Sequence, residues 1–354
     1  MIRLGQIGCG VIGRKHLETA TRLPNATVTA IADLDAELLA RTSAEFGIEK
    51  ATTDAGNLIS DSDIDGIILA VPTGVRTPIA LEVLRHDKHL LVEKPVAMNA
   101  AEVLTLIDEQ KGKVAGCCSC RYRFLSNTAA VQSALASGRI GRLRTVRVRA
   151  LAPPPPSRPE NPPHWRLNRQ LNGGGILVNW GCYDLDYVLG VLGWAVRPLA
   201  VAARTFQVPE PYADWIAPGS DAETHVIAQV RCEDDIVLDY ERAEFHPGKP
   251  EFSWSFSGDH GTLSILVGND EVRATIVTVD KNGTLNDSLL VEEPLVYANL
   301  HAGPVTDFAH AIDSGNSPMT PLTQALTIAR ITDAIYASAE RGGREISIEN
   351  DTRK

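Results

Sequence analysis

Several features that would mark a particular class of protein are scarce or missing in this chain. No apolar run approaches the roughly 20 residues that span a bilayer, and the N-terminus enters a strand-like run without a basic and apolar signal pattern. The 34 basic residues are outnumbered by 44 acidic ones, and a net charge of −10 argues against nucleic acid or an anionic membrane surface as a partner. We therefore expect a cytoplasmic protein that has neither partner.

Cysteine is also sparse, with six residues in 354, and a reducing compartment needs no disulfide framework. Three of the six are clustered, Cys117, Cys118 and Cys120, which raises the question of a metal site. A zinc knuckle requires a C-x-x-C spacing, whereas neighbouring residues on a strand point to opposite faces. Small buried strand residues are the favoured interpretation, and we predict no metal.

The pattern of apolar runs divides the chain into two regions, residues 1–121 and 122–354. In the first, short apolar runs alternate with helix-like segments, which is typical of parallel strands joined by crossover helices. Strands are predicted near residues 2–7, 27–32, 66–71, 89–92 and 113–118. Helices are predicted near residues 12–22, 35–46, 75–86 and 99–110. The region should form a doubly wound parallel sheet.

A glycine-rich turn follows the first predicted strand. Gly8, Gly10 and Gly13 form a G-x-G-x-x-G where a strand turns into a helix, the context in which this motif binds a dinucleotide. The glycines would permit a tight turn, close approach of a pyrophosphate and close helix packing. Asp33 lies 20 residues after Gly13, at the end of the next apolar run, where a carboxylate can accept from ribose hydroxyls. The alternatives are a flexible loop and an Asp33 that only caps the next helix.

Two further segments should reach the same edge of the sheet. Val71, Pro72 and Thr73 end one strand, and Glu93 and Lys94 follow the next. Open α/β sheets bind ligands at the carboxyl ends of their strands, although Glu93 and Lys94 could equally be a solvated strand end. The predicted cofactor-binding residues are Gly8, Cys9, Gly10, Val11, Ile12, Gly13, Asp33, Val71, Pro72, Thr73, Glu93 and Lys94. The carboxylates of Asp33 and Asp35 would repel a 2′-phosphate, so the expected cofactor is NAD rather than NADP.

Residues 122–354 have a different pattern. Alternating runs near residues 143–151, 196–207, 222–232, 236–245, 252–257, 261–267, 271–279 and 288–292 are predicted strands. A helix near residues 125–137 precedes them, and two more follow near 303–313 and 321–341. The fold class is therefore α/β, with an N-terminal Rossmann sheet and a C-terminal α+β domain built on a large open, mainly antiparallel sheet.

Two segments of the second region carry candidate chemistry. Seven prolines between Pro153 and Pro163 exclude regular helix and favour a stiff loop over a cleft, the alternative being a peptide ligand for a partner. Residues 176–192 form an apolar helix on which Asn179, Tyr183 and Asp186 share one face. That polar stripe is either a substrate-facing wall or a network of satisfied core side chains.

Several motifs together resemble one enzyme family, Gfo/Idh/MocA, which includes glucose-fructose oxidoreductase and inositol dehydrogenase. They are Gly8-x-Gly10-x-x-Gly13, Glu93-Lys94-Pro95, Tyr122-Arg123-Phe124, Gly138-Arg-Ile-Gly141, Trp165-Arg166 and Gly173-Gly-Gly175. The likeness extends over nearly the whole chain. The resemblance implies a lysine beside the nicotinamide, here Lys94, often a cis peptide before the proline, and an open sheet that forms a homodimer or homotetramer. Its members mostly oxidise or reduce a carbinol carbon of sugars and cyclitols.

This chain departs from the family pattern on the helix after the triple glycine. Many members carry an Asp and, four residues later, a His, where this chain has Asn179 and Tyr183. Tyrosine at the second position is similar to the glucose-fructose oxidoreductase and dihydrodiol/xylose dehydrogenase branches. Asparagine cannot titrate, so Asn179 could orient a substrate hydroxyl but not carry its proton away.

The chemistry we predict combines the two regions. Oxidising an alcohol gives a hydride to the nicotinamide and a proton to a side chain. Tyrosine has an unperturbed pKa of about 10, which a neighbouring ammonium would lower. We therefore expect Lys94 and Tyr183 to act as a coupled pair with Asn179 beside them; His164 is the second candidate base. The predicted substrate-binding residues are Lys94, Arg123, His164, Trp165, Arg166, Asn179 and Tyr183.

Three hypotheses for function remain open at this stage. The first is an NAD-dependent dehydrogenase of a sugar or cyclitol. The second is an enzyme that keeps NAD tightly bound and uses transient oxidation for elimination, epimerisation or glycoside cleavage without net redox. The third is a nucleotide-sensing regulatory protein without catalysis, which an intact Lys94 disfavours and the altered position 179 permits.

Overall fold

A computed structural model describes residues 1–268 and 270–348. Residues 269 and 349–354, which the predicted second region includes, lie outside the described residues. The described residues form two compact units, one of residues 1–121 and 297–329 and one of residues 122–268, 270–296 and 330–348. The break after residue 121 coincides with the predicted one. Residues 297–329, which the sequence analysis assigned to the second region, belong to the first unit.

The first unit contains a six-stranded parallel sheet. Its strands are β1 (Ile2–Ile7), β2 (Ala26–Ala32), β3 (Lys50–Thr52), β4 (Gly66–Leu69), β5 (His89–Val92) and β6 (Ala115–Cys117). Their order is β3-β2-β1-β4-β5-β6, and every neighbouring pair is parallel. This is the doubly wound order of dinucleotide-binding folds, and the sequence-based prediction of a Rossmann sheet is confirmed.

Helices cover both faces of that sheet because successive strand residues point in opposite directions. Ile67 and Leu69 of β4 pack in one apolar core, while Ile68 between them packs in the other. The helices of this unit are α1 (Val11–Ala20), α2 (Ala36–Phe46), α3 (Ala55–Ile59), α4 (Thr73–Arg85), α5 (Ala100–Glu109) and α9 (Tyr297–Ser314). Phe308 of α9 is fully buried in the second core.

The second unit contains a nine-stranded sheet. Its strands are β7 (Leu143–Leu151), β8 (Pro198–Phe206), β9 (His225–Cys232), β10 (Val237–Ala243), β11 (Glu251–Gly258), β12 (Gly261–Val267), β13 (Glu271–Val279), β14 (Leu285–Pro294) and β15 (Ile346–Ser347). The order is β14-β13-β12-β11-β7-β10-β9-β8-β15. The pairs are antiparallel except β7 with β10, which run parallel with Val237 opposite Thr145.

One face of the second sheet is buried, and the other exposes charged and polar side chains together with a few apolar ones such as Ile227 and Leu266. The buried face of β9 carries Val226, Ala228 and Val230, which alternate with outward residues. Outward charges are paired across strands, as in Arg147 with Asp239, whose Nε and Oδ2 atoms lie 2.9 Å apart. Cross-strand pairs of this kind explain the alternation of arginine with small apolar residues along β7.

The remaining helices of the second unit are α6 (Thr128–Ala136), α7 (Arg169–Asn172) and α8 (Cys182–Val191), the last preceded by a π-helical turn, Leu177–Gly181. All ten residues of α8 are buried. A Cβ atom at Gly181 would lie 2.6 Å from the Tyr240 hydroxyl, so this glycine permits the helix to approach β10 closely. Helix α10 (Leu322–Glu340) is the last helix among the described residues. Within residues 1–268 and 270–348, no helix is long and apolar enough to cross a membrane.

Candidate active site

The glycine turn after β1 has the geometry that its sequence predicts. Gly8 has φ of +97°, and a Cβ atom there would lie 2.3 Å from the carbonyl oxygen of Ala70. A Cβ at Gly13 would lie 2.0 Å from the carbonyl oxygen of Gly8, so these two positions are closed to side chains. Gly10, by contrast, has no atom within 4 Å of a built Cβ, and it begins α1 without a capping side chain. The turn therefore presents open space and the amide end of a helix, which suits a pyrophosphate.

Asp33 is tied to that turn by its side chain. One carboxylate oxygen accepts from the backbone N–H of Cys9 at 2.7 Å, and the other accepts from the N–H of Asp35 at 2.9 Å. The side chain that caps α2 is Asp35, which accepts from the amides of Glu37 and Leu38. Asp33 is thus held at the end of β2 beside the glycine turn and is not the cap of the helix.

A pocket of about 340 Å³ lies at this edge of the parallel sheet. It is lined by Ile7, Gly8, Gly10, Ala32, Asp33, Leu34, Thr53, Ala55, Ala70, Val71, Pro72, Val75 and Ile79. These residues follow β1, β2, β3 and β4, so the pocket opens where the carboxyl ends of four strands meet. Most of its lining is apolar, with Asp33 as the one charged side chain, which fits an adenosine whose ribose meets a carboxylate.

Not every predicted cofactor residue faces this pocket. Cys9 is fully buried, and Thr73 is buried at the start of α4. Val11 begins α1 with 82% of its surface exposed, next to Ile12, which is partly buried. The glycine turn, Asp33 and the turn after β4 are therefore the part of the prediction that the fold gathers around one cavity.

The turn after β5 is anchored by a buried carboxylate. The Glu93 side chain accepts from His16 Nε2 at 2.8 Å, and its second oxygen accepts from the backbone N–H of Lys94 at 2.9 Å. Burial would raise the pKa of Glu93, but the hydrogen bond and charge of His16, with the charges of Lys94 and Arg76, outweigh burial and lower it to about 2. Glu93 is thus an ionised anchor for the Lys94 backbone, and the peptide bond between Lys94 and Pro95 is cis.

His16, Glu93 and Cys118 bring atoms that could bind a metal to within 4.8 Å of one another. The sequence grouped Cys118 with its cysteine neighbours instead, because His16 and Glu93 are distant in the chain. Burial, followed by the charge of Glu93, raises the pKa of the Cys118 thiol well above its usual range. A protonated thiol beside an imidazole and a carboxylate that already bond each other fits a hydrogen-bonded core rather than a metal centre.

His301 of α9 lies beside this anchor in the same unit. Burial, with repulsion by Arg121 and His16, lowers its pKa to about 4. The unfolded chain, with a histidine pKa near 6.5, binds more protons than the folded one between pH 6.5 and 4. The free energy of unfolding should therefore fall as the pH drops through that window, by about 1 kcal/mol for this partly exposed ring.

Urea unfolding of His301→Gln at several pH values tests this expectation. The variant should lose less stability than the wild type between pH 6.5 and 4. His310→Gln, a change at an exposed position on the same helix, serves as the control and should follow the wild type. Identical pH slopes for His301→Gln and the wild type would contradict the assignment.

In the second unit, the polar stripe predicted on the helix after the triple glycine is largely paired. Asn179 accepts from the Asn172 side chain and donates to the carbonyl of Arg166, both at 3.3 Å. Asp186 is fully buried and forms an ion pair with Arg123, 2.9 Å between Oδ1 and Nε. For these two positions the structure matches the core-network alternative, since both side chains have partners within the unit.

Tyr183 differs from its two neighbours on the stripe because its surroundings are aromatic. Its ring centroid lies 5.3 Å from that of Tyr122 and 5.8 Å from that of Trp180. The side chain is 3% exposed, so the ring is fixed by packing. The π-helical turn at Leu177–Gly181 lies directly before it. Such turns are often found at functional sites.

The first residues of this helix are held by a second buried carboxylate, Glu223, which the sequence analysis missed. It accepts from the backbone amides of Gly175 and Leu177 and from the hydroxyl of Tyr336 at 2.9 Å. A Cβ atom at Gly175 would lie 1.9 Å from the Glu223 carbonyl oxygen. The triple glycine therefore lets a strand-end carboxylate cap the helix that carries Asn179 and Tyr183.

A third buried group, Asp184 with Arg242 and Tyr240, was also missed. Arg242 and Asp184 form an ion pair, and the Arg242 guanidinium lies 5.2 Å from the Trp180 ring centroid. The signal in the sequence was a charged residue at a buried position of each element, Asp184 in α8 and Arg242 in β10. Such a charge needs a partner, but the sequence does not say which one.

The predicted substrate-binding residues at the end of the proline-rich loop differ in exposure and in pairing. His164 and Trp165 are exposed, the latter at 45%. Arg166 forms an ion pair with Glu244. The loop therefore offers two accessible side chains and one whose charge is neutralised.

Comparison with known proteins identifies the family. A sequence model described as the oxidoreductase family with an NAD-binding Rossmann fold matches residues 2–117, and the C-terminal domain model of the same family matches residues 128–264. This chain belongs to the Gfo/Idh/MocA oxidoreductase family. The predictions of an enzyme of the oxidoreductase class and of NAD as its cofactor are confirmed with it.

Some relatives are similar over 90% or more of this chain. A 1,5-anhydro-D-fructose reductase of Ensifer adhaerens is 28% identical over 90% of this chain and 90% of its own. An inositol 2-dehydrogenase of Rhizobium meliloti is 24% identical over 98% of this chain and 99% of its own. The structure of a levoglucosan dehydrogenase in complex with NADH has a TM-score of 0.82 and 23% identity, covering 99% of this chain and 100% of that one.

Proposed function

We propose that this protein transfers a hydride between NAD and a carbinol carbon of a sugar, a sugar derivative or a cyclitol. The observation that carries the proposal is the joint arrangement at one sheet edge, where the glycine turn, Asp33 and the turn after β4 line a pocket and Lys94 follows β5, the strand next to β4. The names of the Ensifer and Rhizobium relatives support the substrate class. NAD, when bound, supplies the hydride acceptor or donor.

Proton transfer must come from the chain's own side chains. Lys94 is suited to polarise a substrate oxygen, since its backbone is anchored by the Glu93 carboxylate. Tyr183 offers a hydroxyl on a ring that packing holds in place. An ammonium close to a phenol favours the phenolate, so the pair could take up and return the proton near neutral pH. His164, which is exposed on its loop, is the second candidate base.

Asn179 has a supporting role in this proposal. Its amide cannot titrate, and it connects the residues before the triple glycine to the helix through Arg166 and Asn172. We assign it to orienting a substrate hydroxyl and fixing the loop. Arg123, Trp165 and Arg166 remain predicted substrate contacts, and a homodimer or homotetramer in the cytoplasm remains the expected state.

Purified protein mixed with NAD and a panel of sugars and inositols tests the function. A rise in reduced-nicotinamide absorbance with one of them supports the dehydrogenase. Substrate conversion without that rise would favour tightly bound NAD and no net redox. Binding of NADH without any conversion would instead favour a nucleotide sensor.

The same arrangement predicts a preference for NAD over NADP. A 2′-phosphate beside the Asp33 carboxylate would cost roughly 3–4 kcal/mol, so kcat/KM should favour NAD by a factor of about 10² or more. Asp33→Ser removes that charge and should bring the ratio below about tenfold. The Asp35 carboxylate is engaged in capping α2, whereas Asp33 lines the pocket, so Asp35→Ser should lower the ratio much less than Asp33→Ser. Equal kinetics with both cofactors in the wild type would contradict the assignment.

A further inference from the structure

Arg76 is the buried cation nearest in sequence to the turn that lines the nucleotide pocket. It belongs to the first turns of α4 and is 4% exposed. Its guanidinium donates from Nε to the carbonyl of Val71 at 3.1 Å, and Nη2 donates to the same oxygen. Nη1 donates to the carbonyl of Glu93 at 2.9 Å and also to that of Pro95. One side chain thus bonds three carbonyl groups on two different turns.

These carbonyls need a donor because the strands that precede them have ended. Strands β4 and β5 pair in parallel as far as Leu69 opposite Val92, and the last bond of that ladder runs from the Glu93 N–H to the Leu69 carbonyl. Beyond that point the two segments of the chain are no longer paired, and α4 begins shortly after β4. A guanidinium has five N–H donors in a planar fork, so it can serve carbonyls in two directions at once.

The three carbonyls have a functional position. Val71 lines the nucleotide pocket, and Glu93 and Pro95 flank Lys94 on both sides. Together with the bond from the Lys94 N–H to the Glu93 carboxylate, Arg76 fixes the backbone before, at and after the lysine. Burial raises the pKa of Glu93, and the charge of Arg76 helps to lower it, after the larger lowering effects of His16 and Lys94.

We infer that Arg76 is a positioning residue that couples the cofactor pocket to Lys94. Arg76 holds the turn after β4 and the turn after β5 at a fixed distance from each other. The position of the Lys94 backbone therefore depends on the wall of the nucleotide pocket. The inference rests on the proposed function in one respect, namely that Lys94 acts on the substrate. Arg76 itself does not touch the reacting atoms in this proposal.

Arg76→Lys is the most informative substitution because it keeps the charge but replaces the fork with a single ammonium. Arg85→Lys is the matched control, since Arg85 ends the same helix with a largely exposed side chain paired with Glu109. We expect Arg76→Lys to weaken NADH binding by about tenfold in a fluorescence titration, with the control within twofold of the wild type. Arg76→Gln, which can serve fewer carbonyls, should weaken binding further.

Hydrogen exchange followed by mass spectrometry separates positioning from general destabilisation. In Arg76→Lys, exchange should increase in peptides covering residues 90–98 and 70–76, while peptides covering β2 and the second unit exchange as in the wild type. Wild-type NADH affinity together with unchanged exchange at residues 90–98 would overturn the inference. A uniform rise over the whole chain would overturn it too, because it would indicate a purely structural role.

The kinetic consequence is a drop in kcat of about tenfold or more with a smaller change in the KM of the sugar. If the wild type turns over no member of the panel, the proposed function fails, and the inference about Arg76 is still decided by NADH affinity and hydrogen exchange. If the wild type is active and Arg76→Lys matches it in all three measurements, the inference alone fails.

Discussion

Replacing Lys94 with methionine is expected to lower kcat by a factor of about 10³, with little effect on the dissociation constant of NADH. Methionine has a similar length and removes the ammonium, so the variant loses the group proposed to polarise the substrate oxygen. The backbone anchor does not depend on the Lys94 side chain, because the bond to Glu93 comes from the Lys94 N–H. Steady-state kinetics and a fluorescence titration with NADH measure the two quantities.

Lys111→Met controls for the loss of one positive charge in the same unit. Its ammonium pairs with Glu109 and its side chain is 65% exposed, so its kinetics should match the wild type. A Lys94→Met enzyme with wild-type kcat would remove the lysine from the mechanism. A large loss of NADH affinity with kcat unchanged would assign Lys94 to cofactor binding alone.

The pH dependence of kcat/KM should change in the same variant. Two interacting groups titrate as a pair with macroscopic pKa values, so the proposed mechanism predicts a wild-type limb near neutrality that belongs to the lysine and the tyrosine jointly. If the proposed pair operates, removing the ammonium removes the interaction that favours the phenolate, and the limb should move to higher pH. An unmoved limb would mean that another group, such as His164, is the base.

The parallel sheet was predictable because β1, β2, β4 and β5 are mainly apolar and mostly buried. Strands buried on both faces carry that signal without help from neighbours. β3 was not predicted, and its residues, Lys50 to Thr52, are not buried. α3 was missed as well, since five residues hold too little periodicity to recognise.

The second sheet shows where local pattern stops being informative. Alternation of buried and exposed residues is the same in parallel and antiparallel strands, so the parallel pairing of β7 with β10 could not be deduced. The partners of the buried charged residues could not be deduced for the same reason, because local pattern does not report on distant residues. His16 and Glu93 are 77 residues apart, and Asp184 and Arg242 are 58 apart, so only the fold reveals that each charge has a partner.

The polar stripe shows how far motif and spacing could go. The sequence predicted that residues 179, 183 and 186 share a helix face, and left open whether that face is paired or used. In the structure, Asn179 is hydrogen-bonded to Asn172 and Asp186 forms an ion pair with Arg123. Tyr183 is packed against aromatic rings. Helix periodicity shows that the three residues share a face, but it does not show which loops and strands pack against that face.

Tyr183→Phe should lower kcat by a factor of about 10² to 10³ while NADH affinity stays within about threefold of the wild type. The substitution removes one oxygen and keeps the ring, so the packing against Tyr122 and Trp180 is preserved. Tyr187→Phe is a closely matched control, because it makes the same change four residues later in the same buried helix, where the ring packs on Trp254. Both variants should unfold at similar temperatures, and only the first should lose turnover. Wild-type activity in both variants would show that Tyr183 does not transfer the proton. An equal loss in both would indicate that helix packing, rather than the Tyr183 hydroxyl, sets the rate.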